Sequence, residues 1–238
     1  MTAPLSPTAD YLAGLNEQQR EIVSSADGPC LVLAGAGSGK TRVLVHRLCW
    51  LLDRGVPPSS IVLLAFTNRA AREMVGRVER MMGGYPHRLY AGTFHHIGNI
   101  LLRRYGRHLD ISENFTILDE EDSTRLLKDV VEELKMPDEL PHIRKIREIL
   151  SLAVNTVTPV KEIINTMMPR YTSCIHLLET VAAEYQKRKR RLNALDYDDL
   201  LLQWHRLMMK EDVGQRIAEG FRYVMVDEYH DTNRLQSL

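Results

Sequence analysis

Few cysteines, no excess of charge and no long apolar run bound this chain before any motif is read. Its three cysteines, Cys30, Cys49 and Cys174, are odd in number, and no two have metal-ligand spacing. That excludes a disulfide framework and predicts a reducing, cytoplasmic setting. Lysine plus arginine balances aspartate plus glutamate at 31 each. The balance argues against non-specific coating of duplex, so any nucleic-acid surface must be local. No apolar run approaches bilayer-spanning length, and Met1 to Asp10 lacks the basic and apolar regions of a signal peptide. No membrane partner is expected. Internal repeats and low-complexity tracts are also missing. What is present is 44% apolar residues in 238, enough for a buried core.

The first ten residues, with Pro4, Ser6 and Pro7, read as a flexible tail. Cys30 to Ala34 reads as a short apolar strand leading into a glycine-rich turn, Gly35 to Gly39. A helix follows, with Leu44, Leu48 and Leu51 on one face, until Gly55, Pro57 and Pro58 stop it. A second strand, Ile61 to Phe66, feeds a helix through Ala70 and Met74. Alternating strand and helix implies a parallel sheet.

After about Phe115 the period becomes helical. Asp119 caps a helix whose face is Leu126, Leu127, Val130, Val131 and Leu134. Pro141, Thr158-Pro159 and Thr172-Ser173 open three more. No strand signal occurs here, so residues 115–193 read as a helical insertion. Phe221 to Val226 is a strand ending on Asp227 and Glu228. The expected organisation is a tail over 1–10, the first part of an α/β domain over 11–114, the insertion over 115–193, and a return over 194–238 that is incomplete at its C-terminus.

Ala34-Gly35-Ala36-Gly37-Ser38-Gly39-Lys40-Thr41 fits a P-loop with alanine at the first position. Small residues let backbone N–H groups wrap a phosphate without Cβ clashes. The helix beginning near Gly39 points its positive end at the same anion. Lys40 then reaches the β and γ phosphates, and the Thr41 hydroxyl faces Mg²⁺. The acidic pair at the end of the last strand lies where open α/β sheets bind ligands. Asp227 would hold Mg²⁺ through water, and Glu228 would polarise the attacking water.

With these residues in view, the chain resembles the UvrD/Rep/PcrA group of superfamily 1 DNA helicases. Leu15 to Gln19 resembles the family's adenine motif, with Gln19 at the key position, where its amide offers both a donor and an acceptor. Ala34 to Thr41, followed by Arg42, resembles the family P-loop, whose arginine lies beside the nucleotide. Phe66 to Met74, Gly92 to His95, Ala194 to Leu201, and Asp227 to Asn233 with Gln236 resemble further motifs in family order. The family departs from this chain at Arg69, usually lysine, and at His230, usually a glutamine that senses the γ-phosphate.

The resemblance implies an α/β P-loop NTPase fold: a RecA-like parallel sheet, interrupted by a mainly α-helical subdomain. It implies ATP and Mg²⁺ as ligands. Catalysis would rest on Lys40, Asp227 and Glu228, and the nucleotide would lie against Gln19, Ala36, Gly37, Ser38, Gly39, Lys40, Thr41, Arg42 and His230. Thr41 and Asp227 would hold the metal. Single-stranded DNA, or a junction of single and double strands, would meet Phe66, Asn68, Thr93 and His95. The family's later motifs, its transition-state arginines and its second RecA-like domain have no counterpart here. The expectation is a 3′-to-5′ motor's front part that alone binds nucleotide but hydrolyses it slowly.

Two alternatives stand beside it. One is a truncated nucleotide-dependent DNA-binding module without motor activity. The other is a different P-loop enzyme such as a small-molecule kinase, against which the Phe66–Met74 and Gly92–His95 segments argue. The basic run Lys187 to Arg191 reads either as a phosphate contact or as a solvated helix end. Asp196, Asp198 and Asp199 read as a helix start. His95-His96 has no third ligand at metal spacing.

Overall fold

A computed structural model describes residues 11–25, 28–137 and 139–238. The tail expected over residues 1–10 lies outside them. In chain order the elements begin with α1 (Glu17–Ser25), α2 (Lys40–Asp53), β1 (Ile61–Leu64), α3 (Asn68–Met82), β2 (Tyr90–Gly92) and α4 (Phe94–Tyr105). Next come β3 (Thr116–Leu118), α5 (Glu120–Glu133), α6 (Ile143–Asn155), α7 (Val160–Met167) and α8 (Ile175–Arg191). The last are β4 (Ala194–Asp196), α9 (Tyr197–Met208), α10 (Glu211–Gly220), β5 (Tyr223–Val226) and α11 (Arg234–Ser237). The chain forms two compact units, Met1–Ile97 with Arg216–Asp231, and Gly98–Gln215 with Thr232–Leu238.

In the first unit β1 lies between β2 and β5, parallel to both. Its four residues are all buried, which is why Ile-Val-Leu-Leu is apolar throughout rather than alternating. Register pairs Leu64 with Gly92 on one side and with Val226 on the other. All three strands therefore end level, and their carboxyl ends share one edge. Leu48, Cys49 and Leu51 of α2 and Ala71, Met74 and Val78 of α3 close the core. The hydroxyl of Thr67 accepts from Ala70 N and starts α3, and Gly83, at φ 70°, ends it.

The strand expected over Cys30–Ala34 is not formed. Gly28–Leu33 makes no hydrogen bond among the described residues, and Leu31 and Leu33 are 67% and 85% exposed. An apolar run becomes a strand only when a second backbone satisfies its N–H and C=O groups, and β5 is the last strand of the described sheet. Val224 on β5 is likewise exposed. The strands expected over 61–66 and 221–226 are shorter, at Ile61–Leu64 and Tyr223–Val226.

In the second unit, α5 to α8 bury Leu127, Val130, Ile146, Ile149, Ile164, Leu178 and Val181 together. Asp119 caps α5 by accepting from Asp122 N, as its position predicts. The reading that no strand occurs over 115–193 is corrected by β3, which pairs in parallel with β4. A three-residue strand has too few positions to show a period, and its partner lies beyond the whole helical block. Asp196 caps α9 with Asp199 in a reciprocal capping box, so these aspartates do open a helix.

Candidate functional site

The glycine-rich turn is held by its own small residues. Ser38 donates from N and from Oγ to Gly35 O, at 3.4 and 2.7 Å. Gly37 and Gly39 have φ of 78° and 89°, a region that side chains avoid. Lys40 opens α2 and folds back, its Nζ donating to Ala34 O at 3.1 Å and Gly35 O at 3.2 Å.

Gln19 has a structural task beyond the one its motif suggests. Its Oε1 accepts from Asn16 N at 3.1 Å, while Asn16 Oδ1 accepts from Gln19 N at 2.9 Å. That is a capping box for α1. Gln19 Nε2 donates to Ser38 O at 2.9 Å, tying α1 to the glycine-rich turn. One amide hydrogen and one oxygen lone pair remain for a ligand. Arg47 on α2 donates to Val23 O at 2.7 Å, and His46 Nδ1 lies 2.6 Å from Tyr11 O. The first contact fastens α1 beside α2, and the second holds the segment that precedes α1.

The end of β5 meets this turn. Thr41 Oγ1 donates to Asp227 Oδ2 at 3.3 Å. Asp227 is 6% exposed; burial first, and then neighbouring Glu228, push its carboxyl above the usual aspartate range, against the Thr41 hydrogen bond. Glu228 has φ 50°, a strained conformation for a residue with a long side chain. His230 lies between two acids, Nδ1 at 3.3 Å from Glu228 Oε2 and Nε2 at 3.4 Å from Asp231 Oδ1.

A cavity of about 680 Å³ is lined by Ala34, Ala36, Gly37, Gly39, Lys40, Thr41, Arg42, Arg77, Glu228 and His230. It brings Ala36, Gly37, Gly39, Lys40, Thr41, Arg42, Glu228 and His230 to one space; Gln19, Ser38 and Asp227 do not line it, and Gln19 is bonded to Ser38 and Asp227 to Thr41. Motif reading missed Arg77. It lies in the third turn of α3, outside the contiguous segment Phe66–Met74, and only the fold brings it to the wall. Gly14 was also missed: a Cβ there would lie 2.9 Å from Arg42 Nη2, so the guanidinium sits over a residue that has no side chain.

The residues read as DNA contacts gather at the same sheet edge. Phe66, 43% exposed, follows β1 by two residues. Asn68 opens α3, and its carbonyl accepts from Arg72 Nε at 3.2 Å. Thr93 follows β2, and its hydroxyl accepts from His96 N at 3.2 Å. His95 is half-buried in the first turn of α4. The basic run is largely engaged within the second unit. Lys189, 2% exposed, pairs with Asp196 and Asp199, Arg188 with Glu133, and Lys187 with Glu184. The run does end α8, but the reading of it as solvated is corrected at Lys189, which is buried against two aspartates.

Among the described residues no group of three or more His, Cys, Asp or Glu is placed to hold a metal ion, and no helix is long and apolar enough to cross a membrane.

Known proteins place the chain. The family model for the UvrD/REP helicase N-terminal domain matches residues 15–238. The chain is 38% identical over 227 residues to the ATP-dependent DNA helicase PcrA of Bacillus subtilis (strain 168), covering 94% of this chain and 30% of that protein. It is 37% identical over 225 residues to the ATP-dependent DNA helicase PcrA of Staphylococcus aureus strain Mu50, with 93% and 30% covered. With the PcrA of Staphylococcus epidermidis the figure is 35% over 224 residues, again 93% and 30%. The chain thus spans about three tenths of the length of the curated relatives it matches. From Leu15 to its last residue, this chain belongs to the UvrD/REP helicase N-terminal domain family.

Proposed function

We propose that this chain is the nucleotide-binding front part of an ATP-dependent DNA helicase or translocase with a RecA-like P-loop fold. It would act 3′-to-5′ on single-stranded DNA or at a single–double junction. The observation that carries the reading is the 3.3 Å approach of Thr41 to Asp227 behind a cavity walled by Lys40 and Glu228. The relatives, which are ATP-dependent DNA helicases, favour it.

In this reading ATP is the substrate. Backbone N–H groups from Ala36 to Thr41 wrap its phosphates, and Lys40 leaves the Ala34 and Gly35 carbonyls for the β and γ oxygens. Gln19 offers its remaining amide hydrogen and lone pair to the adenine edge, and Arg42 lies beside the nucleotide. Glu228 orients the attacking water and takes up its proton. His230 would stand at the γ-phosphate end, 3.3 Å from Glu228.

The Thr41 hydroxyl and the Asp227 carboxylate fit a magnesium ion. Both are hard oxygen donors, and a buried carboxyl with a raised pKa is the environment of an acid that lacks its counter-charge. Thr41 and Asp227 would hold the ion, which when bound would supply neutralisation of phosphate charge. Asp227 would hold it through water.

Phe66, Asn68, Thr93 and His95 would follow single-stranded DNA along the sheet edge, Phe66 by stacking on a base. A second RecA-like domain would complete the cleft and deliver an arginine to the γ-phosphate, a contribution of roughly 10³–10⁵ in rate. The chain alone would then bind nucleotide weakly and turn it over slowly. A second reading, a nucleotide-dependent DNA-binding module without motor activity, is favoured by one feature: His230 engages Glu228 and Asp231 at once.

The test is Lys40→Ala, with nucleotide binding measured on this chain and ATP hydrolysis on a form that includes the second domain, with and without single-stranded DNA. Loss of binding and turnover is expected. Unaltered hydrolysis would refute the assignment. DNA-stimulated turnover by the unsubstituted longer form separates the motor from the binding module.

A further inference from the structure

Arg77 is the one cavity residue that no motif reading accounts for. It reaches the wall from α3, whereas the other cations there, Lys40 and Arg42, belong to the start of α2. Its guanidinium has a single described partner, Glu73 on the preceding turn, at 2.5 Å from Nη2. Four of its five N–H donors therefore have no partner among the described residues. The ion pair is half-exposed on both sides and of the i,i+4 type, a weak class of contact. Lys40, by contrast, is held on two turn carbonyls. The cavity thus holds arginine donors that are unengaged among the described residues, beside a lysine that must first leave its two carbonyls.

We propose that Arg77 is a polyphosphate-binding residue of this cavity, and that Glu73 is its intramolecular competitor. The guanidinium exchanges a carboxylate oxygen for a phosphate oxygen when nucleotide binds. Phosphate carries more charge than a carboxylate and matches the planar fork equally well, so the exchange runs towards the ligand. Glu73 then lowers affinity in the empty state and receives the arginine on release. The inference rests on the nucleotide reading above and adds to it a contact from α3 and a gate on that contact.

The experiment measures binding of a fluorescent ATP analogue to the 238-residue chain, with inorganic tripolyphosphate and adenosine as competitors. Arg77→Ala should weaken the analogue and tripolyphosphate by about tenfold or more, the size of a lost charge-assisted hydrogen bond, and leave adenosine unchanged. Arg77→Lys should recover part of the loss, because it restores the charge without the fork. Glu73→Gln should tighten both phosphate ligands about twofold, a gain that misfolding cannot produce.

Lys40→Ala run in parallel separates the two levels. If Lys40→Ala abolishes binding while Arg77→Ala and Glu73→Gln change nothing, the role of Arg77 is overturned and the nucleotide site stands. If adenosine loses as much as tripolyphosphate, Arg77 touches the nucleoside and the polyphosphate assignment is wrong. If Lys40→Ala has no effect either, the nucleotide reading itself fails.

Discussion

Thr41 and Asp227 are 186 positions apart, yet the hydroxyl of one donates to the carboxylate of the other at 3.3 Å. That bond joins the first turn of α2 to the exit of β5. It also compensates incompletely for burial, since the Asp227 carboxyl stays above the usual aspartate range. A folded-state pKa raised above the unfolded value means that the folded protein holds the proton more tightly. Stability is then lost as pH rises from the ordinary aspartate range through the folded value. Asp227→Asn removes this ionisation and keeps an acceptor for Thr41. We expect its melting temperature at neutral pH to rise by about 2–4 °C, the shift that ~1 kcal/mol gives at this size. The stabilisation of the wild-type chain by magnesium and nucleotide together should vanish in the variant. A melting temperature that falls would mean that ionised Asp227 is stabilised by something other than Thr41.

Gly14 has φ 72°, and an added Cβ would lie 2.9 Å from Arg42 Nη2. Gly14→Ala therefore does two things: it strains the backbone, at roughly 1–2 kcal/mol, and it displaces the guanidinium. Arg42→Ala does only the second. Calorimetry should show a lower melting temperature for Gly14→Ala alone, and nucleotide titration should show weaker binding for both. Equal nucleotide affinity in Gly14→Ala and wild type would show that Arg42 need not occupy this place.

Lys189 is a buried cation between Asp196 and Asp199, and removing it leaves buried carboxylates unmatched. Lys189→Met should cost about 3–5 kcal/mol in urea unfolding at pH 7. Burial already pushes the Asp199 carboxyl up, and without the lysine it rises further. The same sign holds as for Asp227: stability of the variant is lost as pH rises, so the deficit should shrink on acidification from pH 7 towards pH 5. A deficit independent of pH would assign the loss to packing of the lysine stem rather than to the orphaned acids.

The unpaired segment gives a prediction by hydrogen exchange. The amides of Leu31, Val32 and Leu33 have no acceptor among the described residues, while those of β1 lie in a ladder between two strands. Exchange at Leu31–Leu33 should be fast, and exchange at Val62–Leu64 should approach the global unfolding limit. Slow exchange at Leu31–Leu33 in the isolated chain would mean that this run finds a partner backbone in solution.

Much of the helical architecture was legible because it depends on local spacing. Leu127, Val130, Ile149 and Val181 fall on the faces that the period assigns, and each is buried. Asp119 and Asp196 cap the helices that follow them. The strands were legible only where a neighbour exists. Ile61–Leu64 has two and is buried throughout. Cys30–Ala34 is as apolar and stays unpaired, and Thr116–Leu118 pairs although its three residues carry no signal. The candidate site divides in the same way. Lys40, Thr41, Asp227 and Glu228 stand in contiguous motifs, where chemistry and spacing are read together. Arg77 and Gly14 do not, and neither does the second use of Gln19 as the bond from α1 to Ser38.

The sequence by itself determined which residues could carry phosphate chemistry and where helices begin, because capping, left-handed glycines and apolar period act within a few residues of the chain. Tertiary structure decided which of those residues share one cavity, that burial raises the Asp227 and Asp199 carboxyls above the usual range, and which apolar runs become strands. Those outcomes depend on backbones and charges that are distant in sequence and adjacent in space.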